Sequence, residues 1–407
     1  MPDILREGYS ADVIAMEQEY VLQTYRRPEF VLVRGEGARV FDSEGRAYLD
    51  GVAGIAVNAL GHGDAQVVAA IQAAAEGLIH VSNLYHTEPH AVLARSLVER
   101  SFADRVFFCN SGTEAAEGAL KFARKHARRF SGQEKTGILA FSGSFHGRTM
   151  GALSATATEK YRAPFEPLIP GVCFAPFNDP VAAEDAITDE VCAVIVEPVQ
   201  GEGGVHPATV DFLERVRAAC DQAGALLIFD EVQCGLGRTG HLWAHQAYGV
   251  TPDLMVLAKP LANGLPIGAV LMTQVVADTM VPGDHGSTFA GGPLVCRVAQ
   301  VVLERISTPE FLADVRDKGE HLAARLAALV EASQLAREAR GMGLMWGIEC
   351  EVEVAPILSA AYRHGVLACG AGPNVLRLLP PLTITLAELD QLVDRLEVAF
   401  DEVEGRD

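Results

Sequence analysis

Two stretches decide the fold: ALLIFDEVQCGLGRTG (225–240) and PDLMVLAKPLANGLPIGAV (252–270). Each opens on a short run of strand-forming apolar residues without polar alternation. Each then sets one charged residue at the end of the run: Asp230 after Leu226 to Phe229, and Lys259 after Leu254 to Ala258. An uninterrupted apolar strand has to be buried on both faces, which predicts a mostly parallel sheet covered by helices on either side. Arg105 to Cys109, Gly137 to Phe141, Val191 to Val196 and Ile267 to Met272 read the same way. Helical stretches alternate with them at Ala65 to Glu76, Glu114 to Arg129 and Val210 to Ala223. An α/β fold follows, in which ligands bind beyond the carboxyl ends of the strands.

Outside this region the pattern changes. Residues 1–25 read as helix, ending before Pro28. Phe30 to Val33, Ala38 to Phe41 and Ala47 to Leu49 read as small strands joined by turns, with DSEGR (42–46) between the last two. Beyond residue 290, helices are expected over Phe311 to Glu331 and Leu386 to Val403, with short strands near Leu344 to Cys350 and Val375 to Leu378. The division expected is a large domain over 59–290 and a smaller α+β domain built by 291–407 together with the segment 1–58.

The 407 residues carry a net charge of −20, spread along the chain, which argues against a nucleic-acid partner. The eight cysteines form no CxxC pair and several lie in apolar runs, so they read as buried thiols of a reducing compartment. MPDILREGYS (1–10) has no apolar core, and no apolar run is long enough to span a bilayer. A cytoplasmic protein without a membrane partner is expected.

The ends of the strands carry the chemistry. Asn110-Ser111-Gly112-Thr113-Glu114 follows the strand at 105–109, and Ser111 and Glu114 have capping-box spacing. Free N–H groups at such a helix start can hold an anion. An acid at the end of a buried strand, Asp230, needs a cationic partner or a site to serve. A lysine so placed, Lys259, is poorly hydrated, so its amine can act as a nucleophile; Pro260 is expected to hold it extended. Anion cradle, carboxylate and amine at one sheet edge are what pyridoxal phosphate requires. Two other patterns are set aside. Gly235, Gly237 and Gly240 match G-x-G-x-x-G, but Asp230-Glu231-Val232-Gln233 intervenes after the strand and no acid at the end of a next strand follows at about twenty residues. His241 and His245 lie four apart without the glutamate of a zinc helix, so no metal is expected.

With these residues in place, the chain resembles the class III aminotransferases, which are fold-type I pyridoxal-phosphate enzymes. The resemblance runs from about Tyr20 to the C-terminus through GIAVNALGHGD (54–64), SNLYHTEP (82–89), FFCNSGTEA (107–115), SFHGRTMGALSAT (144–156), VEPVQGEGGVHPAT (196–209), the two opening stretches, GDHGSTFAGGP (283–293) and GPNVLRLLPPLTIT (372–385). It implies that Lys259 binds the cofactor and shuttles a proton, that Asp230 pairs with its ring nitrogen, and that Gln233 lies near its ring hydroxyl. It implies a phosphate site of Ser111, Gly112 and Thr113, completed by Thr288 of a second subunit in a homodimer with a shared active site. Phe145 stacks on the ring, and Glu197 orders the polar network. For the substrates, Arg377 takes an α-carboxylate and Arg148 a distal one, Glu202 pairs with Arg377 when no α-carboxylate is there, and Tyr25 lies near the donor carboxylate. Within the class, the subgroup acting on N-acetylornithine with 2-oxoglutarate as acceptor fits best, a step of arginine biosynthesis. Thr113 stands where alanine is common in that subgroup. Carrier-linked aminoadipate semialdehyde, succinylornithine, ornithine and 4-aminobutyrate are the alternative donors.

Overall fold

The computed structural model describes residues 8–131 and 135–406. Its centre is a seven-stranded sheet. In chain order the strands are β1 (Arg105–Cys109), β2 (Gly137–Phe141), β3 (Val172–Ala175), β4 (Val191–Val196), β5 (Leu226–Asp230), β6 (Leu254–Leu257) and β7 (Gly268–Met272). In space they run β1-β7-β6-β5-β4-β2-β3. Only β7 is antiparallel to its neighbours, β6 and β1. The other pairings are parallel. The carboxyl ends of β1, β2, β4, β5 and β6 therefore lie along one edge.

The apolar runs are buried on both faces. Ile228 and Ile195 pack with the helix Gly112–Phe130 (α1) on one side. Phe229 and Val196 pack with Phe212 and Leu213 of the helix Val210–Ala223 on the other. Each such side chain contributes roughly 1.5–3 kcal/mol through burial, so no polar alternation survives in these strands. The helix Val210–Ala223 ends at Gly224, whose φ of 63° is a left-handed cap that leads directly into β5.

The two ends of the chain meet. Leu32–Glu36, Arg39–Asp42 and Ala47–Asp50 form an antiparallel meander. Its last strand pairs in parallel with Val366–Leu367. A second sheet, in the order Ala336–Met342, Met345–Cys350, Val375–Leu378, Cys369–Gly370, is antiparallel. It lies among the helices Pro309–Ala332, Ala355–Arg363 and Leu386–Glu404.

Several expectations change. The N-terminal helix spans only Tyr9–Tyr20 and buries no residue, and residues 1–7 lie outside the described residues. The helices Glu88–Val98 and Pro293–Ile306 and the strand Ala336–Met342 were not foreseen. That strand reads AREARGM and has only Ala336 fully buried, so its pattern carries no strand period. The cysteines are all unpaired, but Cys173 is exposed because β3 is an edge strand, and Cys369 is half-buried. Among the described residues, no helix is long and apolar enough to cross a membrane.

Candidate active site

A cavity of about 240 Å³ opens at the carboxyl edge of the sheet. Gly112, Thr113, Phe145, His146, Arg148, Glu197, Asp230, Gln233 and Lys259 are among its lining residues. They come from five connections, each leaving one of the parallel strands.

The connection after β1 starts α1. Ser111 is its N-cap, and Ser111 Oγ accepts a bond from Glu114 N at 3.3 Å. The reciprocal half of the capping box is displaced by one residue, because Glu114 Oε2 accepts from Asn110 N rather than from Ser111 N. The N–H groups of Gly112 and Thr113, in the first turn of α1, have no acceptor within the helix and border the cavity. With the positive end of a 19-residue helix behind them, they suit an anion.

The connection after β5 begins with Asp230, which is 5% exposed. One carboxylate oxygen accepts Val232 N at 3.1 Å, and the other lies 2.7 Å from Nδ1 of the buried His146. His146 is the buried polar partner that the position of Asp230 calls for. It stands inside SFHGRT but carries no assigned role in the sequence reading. The available signal was its place in the loop after β2, at the same sheet edge as Asp230. Its Nε2 is buried without a partner among the described residues.

Glu197 follows β4 and joins two loops. Its oxygens accept Phe145 N at 3.0 Å and Gly201 N at 3.1 Å. Burial raises its carboxyl above the ordinary range; His146 opposes the shift and Asp230 adds to it.

Lys259 follows β6, but not as expected: it opens a 3-10 turn, Lys259–Ala262, instead of staying extended before Pro260. Leu261 N closes that turn onto Ala258 O at 2.7 Å, and proline is tolerated so early in a helical turn. The lysine amine borders the cavity with no hydrogen-bond or ion-pair partner among the described residues. Burial lowers its pKa, the charge of Arg377 lowers it further, and Glu202, Asp230 and Glu197 pull the other way. A larger share of free amine at neutral pH is the consequence.

Arg377 arrives from the distant strand Val375–Leu378 and is 1% exposed. Its Nη1 donates to Glu202 Oε1 at 2.6 Å and to Gln233 Oε1 at 3.1 Å, while Nε is buried and unpartnered. Arg148 lies exposed at the mouth of the cavity, with its guanidinium 3.6 Å from the ring centre of Tyr161 and 5.4 Å from that of Phe145. Tyr161 was also missed; it reaches Arg148 from the short helix Glu159–Arg162. Five named residues do not line the cavity: Ser111, Glu202 and Arg377, the last bonded to the lining Gln233, and Thr288 and Tyr25. Thr288 is exposed on the loop 281–292, and Tyr25 is exposed beside Arg27.

The arrangement brings a buried lysine amine of lowered pKa together with a carboxylate–histidine pair, a helix start with free N–H groups and two arginines. Comparisons with known proteins extend along nearly the whole chain. Residues 20–400 match the family model for class III aminotransferases. The mitochondrial acetylornithine aminotransferase of Alnus glutinosa is 51% identical over 97% of this chain and 88% of its own. The succinylornithine transaminase of Yersinia enterocolitica is 45% identical over 95% of each. The ornithine aminotransferase of Toxoplasma gondii, whose structure shows partial occupancy of pyridoxal phosphate at its active site, superposes with a TM-score of 0.95 at 33% identity, covering 99% of this chain and 96% of its own. Sheet edge, lysine and matched family model lead to one assignment: the chain belongs to the class III aminotransferases.

Proposed function

We propose that this enzyme moves the ω-amino group of N-acetylornithine to 2-oxoglutarate, with pyridoxal phosphate as cofactor, giving N-acetylglutamate semialdehyde and glutamate. The observation that carries the reading is the pair of the buried Arg377 with Glu202 at 2.6 Å, bonded to the cavity-lining Gln233 and close enough for both charges to act on Lys259. The chain's residues fit the cofactor. The free N–H groups of Gly112 and Thr113 suit a phosphate. The His146–Asp230 pair suits a protonated ring nitrogen, and the unpartnered Lys259 amine suits a covalent attachment. When bound, pyridoxal phosphate supplies an electron-withdrawing ring that stabilises negative charge on the amine-bearing carbon.

The remaining chemistry belongs to the chain. Lys259 Nζ, its pKa lowered by burial, would take the proton from the amine-bearing carbon and pass it on to the cofactor side rather than back to the same carbon. Asp230, steadied by His146, would hold the cofactor's ring nitrogen through its negative charge. Phe145 would pack against the ring, and Glu197 fixes the Phe145 backbone. Gln233, whose Oε1 accepts from Arg377, would serve the ring hydroxyl.

Two substrates share one pocket. Glutamate brings two carboxylates, for which Arg377 takes the α group and Arg148 the distal one. An ω-amino donor places its only carboxylate on Arg148, with Tyr25 nearby. Arg377 then lacks an anion, and Glu202 supplies one; a buried guanidinium without a counter-charge would be costly. The relative from Alnus glutinosa supports N-acetylornithine as donor. Thr288 of a second copy completes the phosphate site, so the working unit is a homodimer in the cytoplasm.

The test is an absorbance spectrum of the purified protein with pyridoxal phosphate. A visible band that bleaches with N-acetylornithine and recovers with 2-oxoglutarate is expected. Lys259→Ala should lose the band and at least about a thousandfold in kcat. A band that persists with N-acetylornithine but bleaches with N-succinylornithine or ornithine moves the donor. The same band in Lys259→Ala removes the reading.

A further inference from the structure

Thr113 lies in the first turn of α1, where the phosphate is expected, yet its hydroxyl is already committed. Thr113 Oγ1 accepts Arg148 N and Thr149 N, each at 3.1 Å. A hydroxyl oxygen has two acceptor positions and one hydrogen. With both positions filled, the hydrogen is left for Thr149 Oγ1, 2.8 Å away. None remains for an anion, so only the Thr113 backbone faces the cradle.

The same face of α1 continues the grip one turn later. Glu117 Oε1 accepts Gly151 N at 2.7 Å and Ala152 N at 3.3 Å. These are first-turn N–H groups of the short helix Met150–Ser154, which has no side-chain cap at Thr149. Residues four apart on a helix share a face, so Thr113 and Glu117 act as one template for residues 148–152. The fit is tight. A Cβ at Gly147, whose φ is 140°, would overlap Thr113 Oγ1, and one at Gly151 would overlap the Glu117 carboxylate. The segment thus anchored carries Arg148, whose guanidinium is docked on Tyr161 at 3.6 Å.

We propose that Thr113 and Glu117 are positioning residues for Arg148: they fix the backbone that aims it, and so set recognition of the substrate's distal carboxylate. The inference rests on the reading of Arg148 as the distal-carboxylate arginine. It assigns Thr113 a duty towards the substrate in addition to the backbone N–H it offers the cofactor phosphate. Alanine at this position would keep that N–H and lose both anchoring bonds, so the residue is a determinant of how firmly Arg148 is held.

The experiment compares enzyme loaded with pyridoxal phosphate as wild type, Thr113→Val, Thr113→Ser, Glu117→Ala and Arg148→Gln. Glutarate, a dicarboxylate without an amine, is titrated by calorimetry, and amide hydrogen exchange is followed over residues 147–152. Valine keeps the shape of threonine without its hydroxyl. Thr113→Val should weaken glutarate about tenfold, and Thr113→Ser should recover to within about twofold. Exchange over 147–152 should quicken in Thr113→Val and Glu117→Ala and not in Thr113→Ser. Should a variant fold poorly, Thr113→Ser and the wild-type protection at Arg148 and Thr149 still decide: fast exchange at those amides in the wild type overturns the proposal. Wild-type affinity in Thr113→Val, with Arg148→Gln impaired, also overturns it. Wild-type affinity in Arg148→Gln overturns the underlying reading of Arg148 instead.

Discussion

In the proposed function, the contact between Arg377 and Glu202 serves two substrates. Arg377 is almost wholly buried, and its Nη1 is held by Glu202 at 2.6 Å and by Gln233 at 3.1 Å. Under the proposed function, glutamate has to displace Glu202 to reach the arginine with its α-carboxylate, and an ω-amino donor leaves the pair intact. Glu202→Ala should therefore lower kcat/KM for the ω-amino donor while that for glutamate holds or rises, changing their ratio by about tenfold. Steady-state kinetics with each donor read this directly, and equal losses for both would remove the role. Cofactor affinity, measured by the visible band, should change little, because Glu202 does not line the cavity beside Gly112 and Thr113.

At the scale of elements, the connection after β5 is held by an acid that contacts neither cavity nor solvent. Glu231 is fully buried, and its two oxygens accept Ala244 N and His245 N, the start of the 3-10 turn Ala244–Ala247. Burial pushes its carboxyl up to about 8; the two backbone bonds oppose this and Asp230 adds to it. The pKa in the folded chain lies above the unfolded value. The stability this group contributes is thus fully present below the unfolded pKa of 4.5 and is lost as pH rises through about 8. Wild-type enzyme should lose a few kcal/mol from this group over that window, and Glu231→Gln should lack that part of the slope. Thermal midpoints at about pH 5 and about pH 8.5 measure it. A variant as pH-dependent as the wild type would place the titration elsewhere. Elements also explain what was readable in advance. Strands β5 and β6 announce themselves because both faces are buried, and Val210–Ala223 because its cap, Thr209, and its terminal Gly224 are local signals. Ala336–Met342 is a strand only because Met345–Cys350 pairs with it.

The whole molecule carries an apolar surface that a single copy leaves uncovered. Leu84 is 83% exposed, Tyr85 71% and Phe289 67%, with Leu78 and Ile79 also open to solvent. His80 and Phe289 have ring centres 5.2 Å apart, so the segment 78–85 meets the loop that carries Thr288. An apolar patch of this kind fits an interface between two copies. Sedimentation should give a dimer. Leu84→Asp should shift it towards monomer and lower activity by about tenfold or more, if Thr288 completes the phosphate site of a second copy as proposed. A fully active monomeric variant would contradict the shared active site.

Local rules made much of this protein legible from its residues alone. Strand length, the double-sided apolar runs and the helix start at Ser111 depend on neighbours a few positions away, so Lys259, Asp230 and the anion cradle could be named beforehand. The resemblance of whole stretches then supplied roles for Arg148, Arg377 and Glu202. What a one-dimensional pattern does not hold is which distant groups meet. His146 reaches Asp230 across 84 positions, and Arg377 reaches Glu202 across 175. The short turn at Lys259, the commitment of the Thr113 hydroxyl to Arg148 and the burial of Glu231 were likewise decided by packing. Hydrogen-bond partners and desolvation are properties of the folded neighbourhood, and only the closed sheet and its loops create that neighbourhood.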